Sequence, residues 1–355
     1  GSSGGEAMGS TYVDDHRFWH YPKGGGAGKD ITQWVGAPEA RDELEALSVE
    51  LTFTALRNHL YDPYMTWPGL EPGDKLKVVN HGAEIFAGVV LSVGLDGSVT
   101  ANDMGWYLTK SQIILQVSNA AAEDAIQRMC AKAGIPVGRL PSLPTRISEI
   151  WTGDTPEAIL QDILAICSAE TGKRYKRRVR GGALEVTELP EVPLAAYHKP
   201  ADNLAAFDIT LAKGTVSGSD SMTDLYNSVV LTSGGREAAV LGRGDNRASR
   251  DQYGLLQMVE RLSGDENSAQ ARQRIRTLLD QHDRLTIERQ VDELWGADEV
   301  ESGVLLRFQA NQFGVTGDQR VVSVTHRYGP THLMSVTVQD PNQGRAAGGE
   351  DSVEV

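Results

Sequence analysis

Cysteine is nearly absent: Cys130 and Cys167 are the only two among 355 residues. A disulfide-stabilised scaffold has more cysteines in a smaller chain, so that class of protein is excluded. Both positions fall in stretches with the apolar periodicity of amphipathic helices. We therefore predict two buried free thiols and folding in a reducing compartment.

Long apolar runs and an excess of positive charge are also missing. No run of 18 apolar residues occurs, which predicts no transmembrane helix. Residues 1–9 do not place a basic region before an apolar one, which predicts no secretory signal. The 34 basic residues are outnumbered by 48 acidic ones, giving a formal net charge of −14. A chain of this charge repels phosphates on average, so we predict no specific binding of nucleic acid.

Sequence motifs of catalysis and metal binding are lacking. There is no HExxH, no CxxC and no GxSxG, and the eight histidines are scattered along the chain. The glycine-rich run 24–29 lacks the spacing of a phosphate loop and is interpreted as a linker. Carboxylates at 292–293, 298–299 and 301 are interpreted as a solvated loop, although two of them could serve a glycosidase. We predict no catalytic residue, no cofactor and no metal site.

The patterns that are present favour short antiparallel strands. Residues 29–118 alternate apolar and polar positions and contain a turn at Pro72-Gly73-Asp74 and a hairpin signal at Asp96-Gly97. These features predict a first small β-barrel. Residues 119–200 contain two helical stretches, one ending at Gly134 and one running from Pro156 to Gly172, and predict an α/β domain.

Strand patterns return after the prolines near residue 193. We predict a second β-barrel from residues 201–246 and 284–341, a helical insert at 247–283 and a flexible acidic tail at 342–355. The segments 72–78 and 86–90 share their pattern with 302–308 and 320–324. The predicted fold class is therefore α+β and β-rich, with two similar small antiparallel β-barrel domains, an intervening α/β domain and a helical insert in the second barrel.

Two segments are candidate interfaces. The N-terminal arm, residues 1–28, concentrates Tyr12, Phe18, Trp19 and Tyr21, and is either loose or packs its aromatic rings on a neighbouring subunit. The segment 173–180 carries six basic residues and is either a solvated strand face, a docking patch for an acidic partner or a nucleic-acid contact. The candidate interface residues are Phe18, Trp19, Tyr21, Arg174, Lys176 and Arg178.

The order of several short motifs over residues 28–340 resembles the hub proteins of contractile phage tails, defective prophages and R-type bacteriocins. These are similar to the trimeric hub of large myophages and to the late control protein D family. The motifs are Lys29-Asp30-Ile31-Thr32, Pro72-Gly73-Asp74, 86–90, Asp103, 107–111, 122–126, 134–138, 171–175, 253–257 and His326 with 332–336.

The resemblance implies a structural baseplate hub subunit and not an enzyme. In such a protein, three copies would form a pseudo-sixfold ring that joins the tail tube to the central spike. The implied partners are further copies of this chain in a homotrimer, the spike protein, the tail tube protein and other baseplate proteins. The implied location is a virion tail or tail-like particle. DNA would pass an acidic lumen without binding. Two alternatives stay open: a tail-associated peptidoglycan hydrolase, and a carbohydrate- or receptor-binding module at the tail tip.

Overall fold

The structure is a computed structural model that describes residues 13–56, 67–194, 216–233, 238–262, 267–308 and 315–355. Tyr12 of the aromatic arm and the predicted start of the second β region at residue 201 lie outside the described residues. The described chain is β-rich with five helices, and its sheets are almost entirely antiparallel. This confirms the α+β, β-rich class.

The first module is a curved antiparallel sheet with the order β3-β4-β7-β6-β5-β1-β2. Its interior is apolar, and Phe18, Leu51 and Val78 are among its buried side chains. Asp96-Gly97 forms the predicted turn between β6 and β7, where Gly97 adopts a φ of +87°. The strands are β1 (His16–Tyr21), β2 (Lys29–Asp30), β3 (Val35–Glu43), β4 (Glu50–Ala55), β5 (Lys75–Asn80), β6 (Ala83–Val93) and β7 (Ser98–Asp103).

The predicted arm is partly integrated into this sheet. β1 pairs along its whole length with β5, from His16 opposite Asn80 to Tyr21 opposite Lys75. Because side chains alternate across a strand, Phe18 and His20 point inward and are buried. The expected boundary at residue 28 is therefore not a structural break, since strand pairing begins at His16.

An α/β region follows and has its own core. It contains α1 (Trp106–Lys110), β8 (Ile113–Ala121), α2 (Ala122–Ala133), β9 (Arg146–Asp154), α3 (Pro156–Thr171), β10 (Tyr175–Arg180) and β11 (Ala183–Glu188). α2 and α3 end at Gly134 and Gly172, which adopt left-handed conformations as predicted. Cys130 and Cys167 are both buried and free, which confirms the prediction for the thiols.

The C-terminal half divides into two sheets. Its elements are β12 (Val216–Ser221), β13 (Ser228–Thr232), β14 (Val240–Asn246), α4 (Arg247–Tyr253), β15 (Gln257–Arg261), α5 (Ser268–His282), β16 (Thr286–Trp295), β17 (Leu305–Phe308), β18 (Gly317–Tyr328), β19 (His332–Gln339) and β20 (Asp351–Glu354). The second module comprises β12 and β16–β19, in the order β12-β16-β19-β18 with β17 also on β18. β18 also pairs with β3, which joins both modules in one twelve-stranded sheet.

The insert differs from the prediction in three respects. The sequence pattern predicts that the strand at 228–232 belongs to the second barrel, but it lies in a separate sheet with the order β15-β13-β14-β20. The segment 247–283 is not wholly helical, because β15 separates α4 from α5. The tail predicted to be flexible contributes β20, which pairs with β14. The apolar face of α5 explains this arrangement, since Ile275 and Leu279 pack on Val229 and Leu231.

The two modules repeat the same five-strand order. β3-β4-β7-β6-β5 in the first corresponds to β12-β16-β19-β18-β17 in the second. The bulge between Val90 and Ser92 of β6 corresponds to the bulge between Val321 and Ser323 of β18. A bulge is a local feature that related proteins retain at the same position of a strand pair. The equivalent positions of these two bulges therefore support a common origin for the two modules.

The turn before the repeated hairpin has the same hydrogen bonds in both modules. Gly73 and Gly303 have φ angles of +93° and +94°. The N–H of Gly73 donates to the carbonyl of Val90 at 2.8 Å, and the N–H of Gly303 donates to that of Val321 at 2.7 Å. This positive φ requires glycine at both positions. The weak pattern match seen in the sequence is therefore a repeat in three dimensions.

Asp74 of this turn anchors β1 to the first module. Its carboxylate accepts hydrogen bonds from the backbone N–H groups of Lys23 and Glu71 and from Nε2 of His20 at 2.8 Å. The indole N–H of Trp67 donates to Nδ1 of the same His20 ring. Burial by itself would raise the pKa of Asp74, but these hydrogen bonds outweigh it and hold the pKa below its usual value.

Replacing Asp74 by alanine is expected to lower the free energy of unfolding by about 2–4 kcal/mol, because the buried ring of His20 and two backbone N–H groups lose their acceptor. Since the folded-state pKa is lowered, this contribution is present above the ordinary carboxyl pKa and is lost as the pH falls through the folded value. Urea unfolding at neutral and acid pH measures both effects. Asp96→Ala, at an exposed turn, is the control, and an equal loss from both substitutions would contradict the prediction.

Candidate functional site

Polar side chains from both modules meet where β1 approaches the β18–β19 hairpin. We call this group the acid–histidine cluster. The pairing of β18 with β3 brings the hairpin beside the first module, so residues distant in sequence come into contact. Its members are Asp14 and His16 at the start of β1, Asn80 at the end of β5, Asp298 between β16 and β17, His326 on β18, and His332 on β19.

Two histidine rings form a chain of contacts inside the cluster. His326 Nε2 lies 2.7 Å from the carbonyl oxygen of Val300, and His326 Nδ1 lies 2.9 Å from His332 Nε2. The other nitrogen of His332, Nδ1, lies 3.0 Å from Oδ2 of Asp14. The side chain of His332 is only 3% exposed and that of Asp14 16%, so these contacts are shielded from water.

A second histidine–carboxylate pair lies beside the first. His16 Nε2 is 2.9 Å from Oδ1 of Asp298, and the same oxygen is 3.9 Å from Nδ1 of His332. The amide of Asn80 donates to Oδ1 of Asp14 at 3.0 Å and to Oδ2 of Asp298 at 2.6 Å. Asn80 thereby holds the outer oxygen of each carboxylate, while the other oxygen of each contacts a histidine.

Burial and charge shape the ionisation of the cluster. Burial and the neighbouring His326 lower the pKa of His332 to about 4, and burial lowers the pKa of His326. Burial by itself would raise the pKa of Asp298, but hydrogen bonding and charge from His16 outweigh it and lower that pKa. These shifts favour neutral rings for His326 and His332 and an ionised carboxylate for Asp298.

No local sequence motif marks this cluster. Asp14 and His332 are 318 positions apart, and His16 and Asp298 are 282 apart, so no local motif could indicate the contact. The sequence predicts a solvated loop at Asp298, whereas its side chain is only 14% exposed. Asp14, His16 and His332 offer nitrogen and oxygen atoms within 4.8 Å of one another, which are ligand types of transition metals.

The predicted basic interface strand, β10, is mostly engaged within the chain. Lys176 is buried, donates to the carbonyl of Ser302, and lies 3.8 Å from Asp42 and 3.7 Å from Glu301. Arg178 Nη1 contacts Glu301 at 2.7 Å. Lys176 is thus wrong as a contact for another protein, because ion pairs bind it to β3 and to the turn before β17.

The remaining basic and aromatic candidates have different settings. Phe18 is wrong as an intersubunit contact, because only 2% of it is exposed and it packs in the core of the first module. Trp19 and Tyr21 lie on the opposite face of β1 and are partly exposed. Arg174 has 52% of its side chain exposed, 3.9 Å from Glu45. These three residues stay as predicted interface positions.

Comparison with solved structures identifies the class of fold. The chain is similar to the 43 kDa tail protein of prophage MuSo2 from Shewanella oneidensis, with a TM-score of 0.60 at 13% identity, covering 92% of this chain and 99% of that one. It is equally similar to a tail protein from Neisseria meningitidis MC58, with a TM-score of 0.60 at 13% identity, covering 93% and 98%. The fold is therefore that of phage tail proteins.

Sequence comparison gives the family. Residues 41–339 match the model of the YQBQ-like family, and the chain belongs to that family. It is 24% identical over 283 residues to the phage-like element PBSX protein XkdQ of Bacillus subtilis (strain 168), which covers 78% of this chain and 84% of that protein. The resemblance to phage tail and baseplate proteins is confirmed. Among the described residues, no helix is long and apolar enough to cross a membrane.

Proposed function

We propose that this chain is a structural baseplate hub subunit of a contractile phage tail or tail-like particle. Three copies form a ring of six β-barrel-like modules that joins a sixfold tail tube to a threefold central spike. The observation that carries the proposal is the internal repeat, in which both modules share strand order, bulge position and turn geometry. A symmetric trimer with two equivalent modules per chain presents six similar surfaces.

The joint between the modules suggests how subunits associate. Within the chain, β3 pairs with the part of β18 that extends beyond β17, so that Ser323 lies opposite Glu43. The repeat maps β3 onto β12 and β18 onto β6. Among the described residues, β12 pairs on one edge only, and β6 has no strand partner beyond Val90 on its β5 edge. A second copy that places its β12 on this stretch of β6 would repeat the joint and close the ring.

Paired cysteines test this contact. By the repeat, Ser92 of one subunit lies opposite Ser221 of its neighbour, so the double variant Ser92→Cys, Ser221→Cys is expected to form disulfides between subunits under oxidation. Non-reducing gels then show covalent dimers and trimers, and light scattering gives three times the chain mass of 38.4 kDa. The native thiols are buried and do not interfere.

The matched control places cysteines across the joint inside one chain. Glu43→Cys with Ser323→Cys occupies paired positions of β3 and β18, so its disulfide leaves the apparent mass unchanged on the gel. A trimer by light scattering without cross-links in the first variant would contradict the β12–β6 contact. A strict monomer, alone and together with the spike, would contradict the hub itself.

The two alternative functions have less support. The carboxylates considered for wall hydrolysis are separated: Asp298 belongs to the acid–histidine cluster and Glu301 is bound by Arg178 and Arg180. A cleft of about 320 Å³ beside β10 is lined by Lys176 and Asp103, and both already have partners within the chain. These contacts favour structural roles for the ionised groups of the cleft.

A further inference from the structure

Two neutral imidazoles supply one proton fewer than one line of contacts in the acid–histidine cluster requires. The line of contacts runs from the carbonyl of Val300 through His326 and His332 to the carboxylate of Asp14. Each of its three contacts needs one proton, whereas two neutral imidazoles supply two. A carbonyl oxygen only accepts, so His326 Nε2 donates to Val300 and His326 Nδ1 accepts from His332 Nε2.

The unprotonated atom is then Nδ1 of His332, which faces a carboxylate oxygen of Asp14 at 3.0 Å. Two lone pairs at this distance repel each other unless a positive charge lies between them. A metal ion supplies that charge, and both atoms then coordinate it through their lone pairs. His16 Nε2 and Asp298 Oδ1 lie on the same side of His332, the latter 3.9 Å from its Nδ1.

The spacing of these atoms suits a tetrahedral ion. With bonds of about 2.0–2.2 Å to nitrogen and oxygen, the ligand atoms of tetrahedral zinc lie about 3.3–3.6 Å apart. The contacts of 2.9, 3.0 and 3.9 Å bracket this range, and the ligand atoms of Asp14, His16 and His332 lie within 4.8 Å of one another. The longest separations would have to close by about 1 Å on binding.

The surrounding groups also fit a metal centre. His332 donates its outer N–H to His326, and Asn80 donates to the outer oxygens of Asp14 and Asp298. Such outer hydrogen bonds fix the tautomer of a ligating histidine and the orientation of ligating carboxylates. Four of the six side chains thus offer ligand atoms, and Asn80 and His326 hydrogen-bond to them from outside the site.

We propose that Asp14, His16, Asp298 and His332 bind one divalent transition-metal ion, with zinc the ion that suits two imidazoles and two carboxylates in a tetrahedron. The ion links the start of β1 in the first module to the second module, on residues that the β3–β18 pairing does not include. It is a structural clamp between the modules and is independent of the hub assignment.

Zinc binding is measured on the full chain, stripped with a chelator and carrying no polyhistidine tag. One zinc per chain after gel filtration is expected, with a melting temperature that rises with zinc concentration because the ion binds the folded state. Cobalt in place of zinc is expected to give the intense visible absorption of a tetrahedral site. His16→Gln and His332→Gln are expected to weaken zinc binding at least tenfold.

Asp14→Asn tests the same site in case the histidine variants misfold. The side chain of Asp14 lies at the edge of the cluster and outside strand pairing, so its replacement disturbs the fold less. This variant is expected to fold and to lose zinc. His282→Gln, outside the cluster, is the matched control and should bind zinc like the wild type. Failure of the wild-type chain to retain zinc, or equal retention by wild type, His332→Gln and Asp14→Asn, overturns the proposal and leaves a third proton as the charge between His332 and Asp14.

Discussion

Replacing Asp283 by alanine is expected to lower the free energy of unfolding by about 3–5 kcal/mol. This carboxylate is fully buried and accepts hydrogen bonds from Asn246, Ser249 and Arg345. Without it, the hydroxyl of Ser249 loses its acceptor, the amide of Asn246 keeps the carbonyl of Ala347, and the guanidinium of Arg345 keeps Asp351. Urea unfolding of both proteins measures the loss.

The same substitution is expected to release the C-terminal strand. Arg345 also binds Asp351 of β20 at 2.8 Å, so the carboxylate of Asp283 holds this strand through the guanidinium of Arg345. Amide hydrogen exchange in β20 should therefore accelerate more than exchange in β13. Asp280→Ala is the control, because this exposed residue pairs with Arg284 four positions further along the chain, a contact worth about 0.3–0.5 kcal/mol. Equal losses from both substitutions would refute the anchoring role of Asp283.

Replacing Lys176 by methionine is expected to cost about 2–4 kcal/mol, because Asp42 and Glu301 then lose a buried counter-charge and the carbonyl of Ser302 loses its donor. Part of the charge stays compensated, since Ser302 donates to Asp42 and Arg178 to Glu301. These contacts set the expected loss below that of Asp283→Ala.

Lys176→Met also tests how β10 contributes to the assembly. Because Lys176 connects β10 to the turn before β17, limited proteolysis of the β10–β11 hairpin should become faster in the variant. Arg174→Met removes a charge from the residue immediately before β10, but its side chain is half exposed, so we expect a loss of at most about 0.5 kcal/mol. A larger loss of unfolding free energy from Arg174→Met than from Lys176→Met would contradict the prediction, because the exposed charge would then matter more than the buried ion pairs.

Local signals in the sequence were sufficient for much of the fold. The glycines that end α2 and α3, the hairpin at Asp96-Gly97 and the buried thiols depend on a few neighbouring residues, and the structure has them as predicted. The repeat of the turn at Gly73 and Gly303 was visible as a pattern because the same backbone geometry demands the same residue type.

Strand partners and side-chain neighbours could not be predicted in this way. The strand at 228–232 has a pattern that suits either sheet, and the apolar face of α5 selected the separate one. Phe18 and Lys176 belong to residue types common at interfaces, yet each is buried against a segment remote in sequence.

The sequence by itself determined the β-rich class, the helix ends, the tight turns and the tail-protein resemblance, since each depends on local backbone preference or on residue order. Only the tertiary structure determined that β3 joins β18 and that Asp14 meets His332. Pairing between distant strands is selected by burial and hydrogen bonding over the whole sheet, and an alternating pattern leaves the choice of partner undefined.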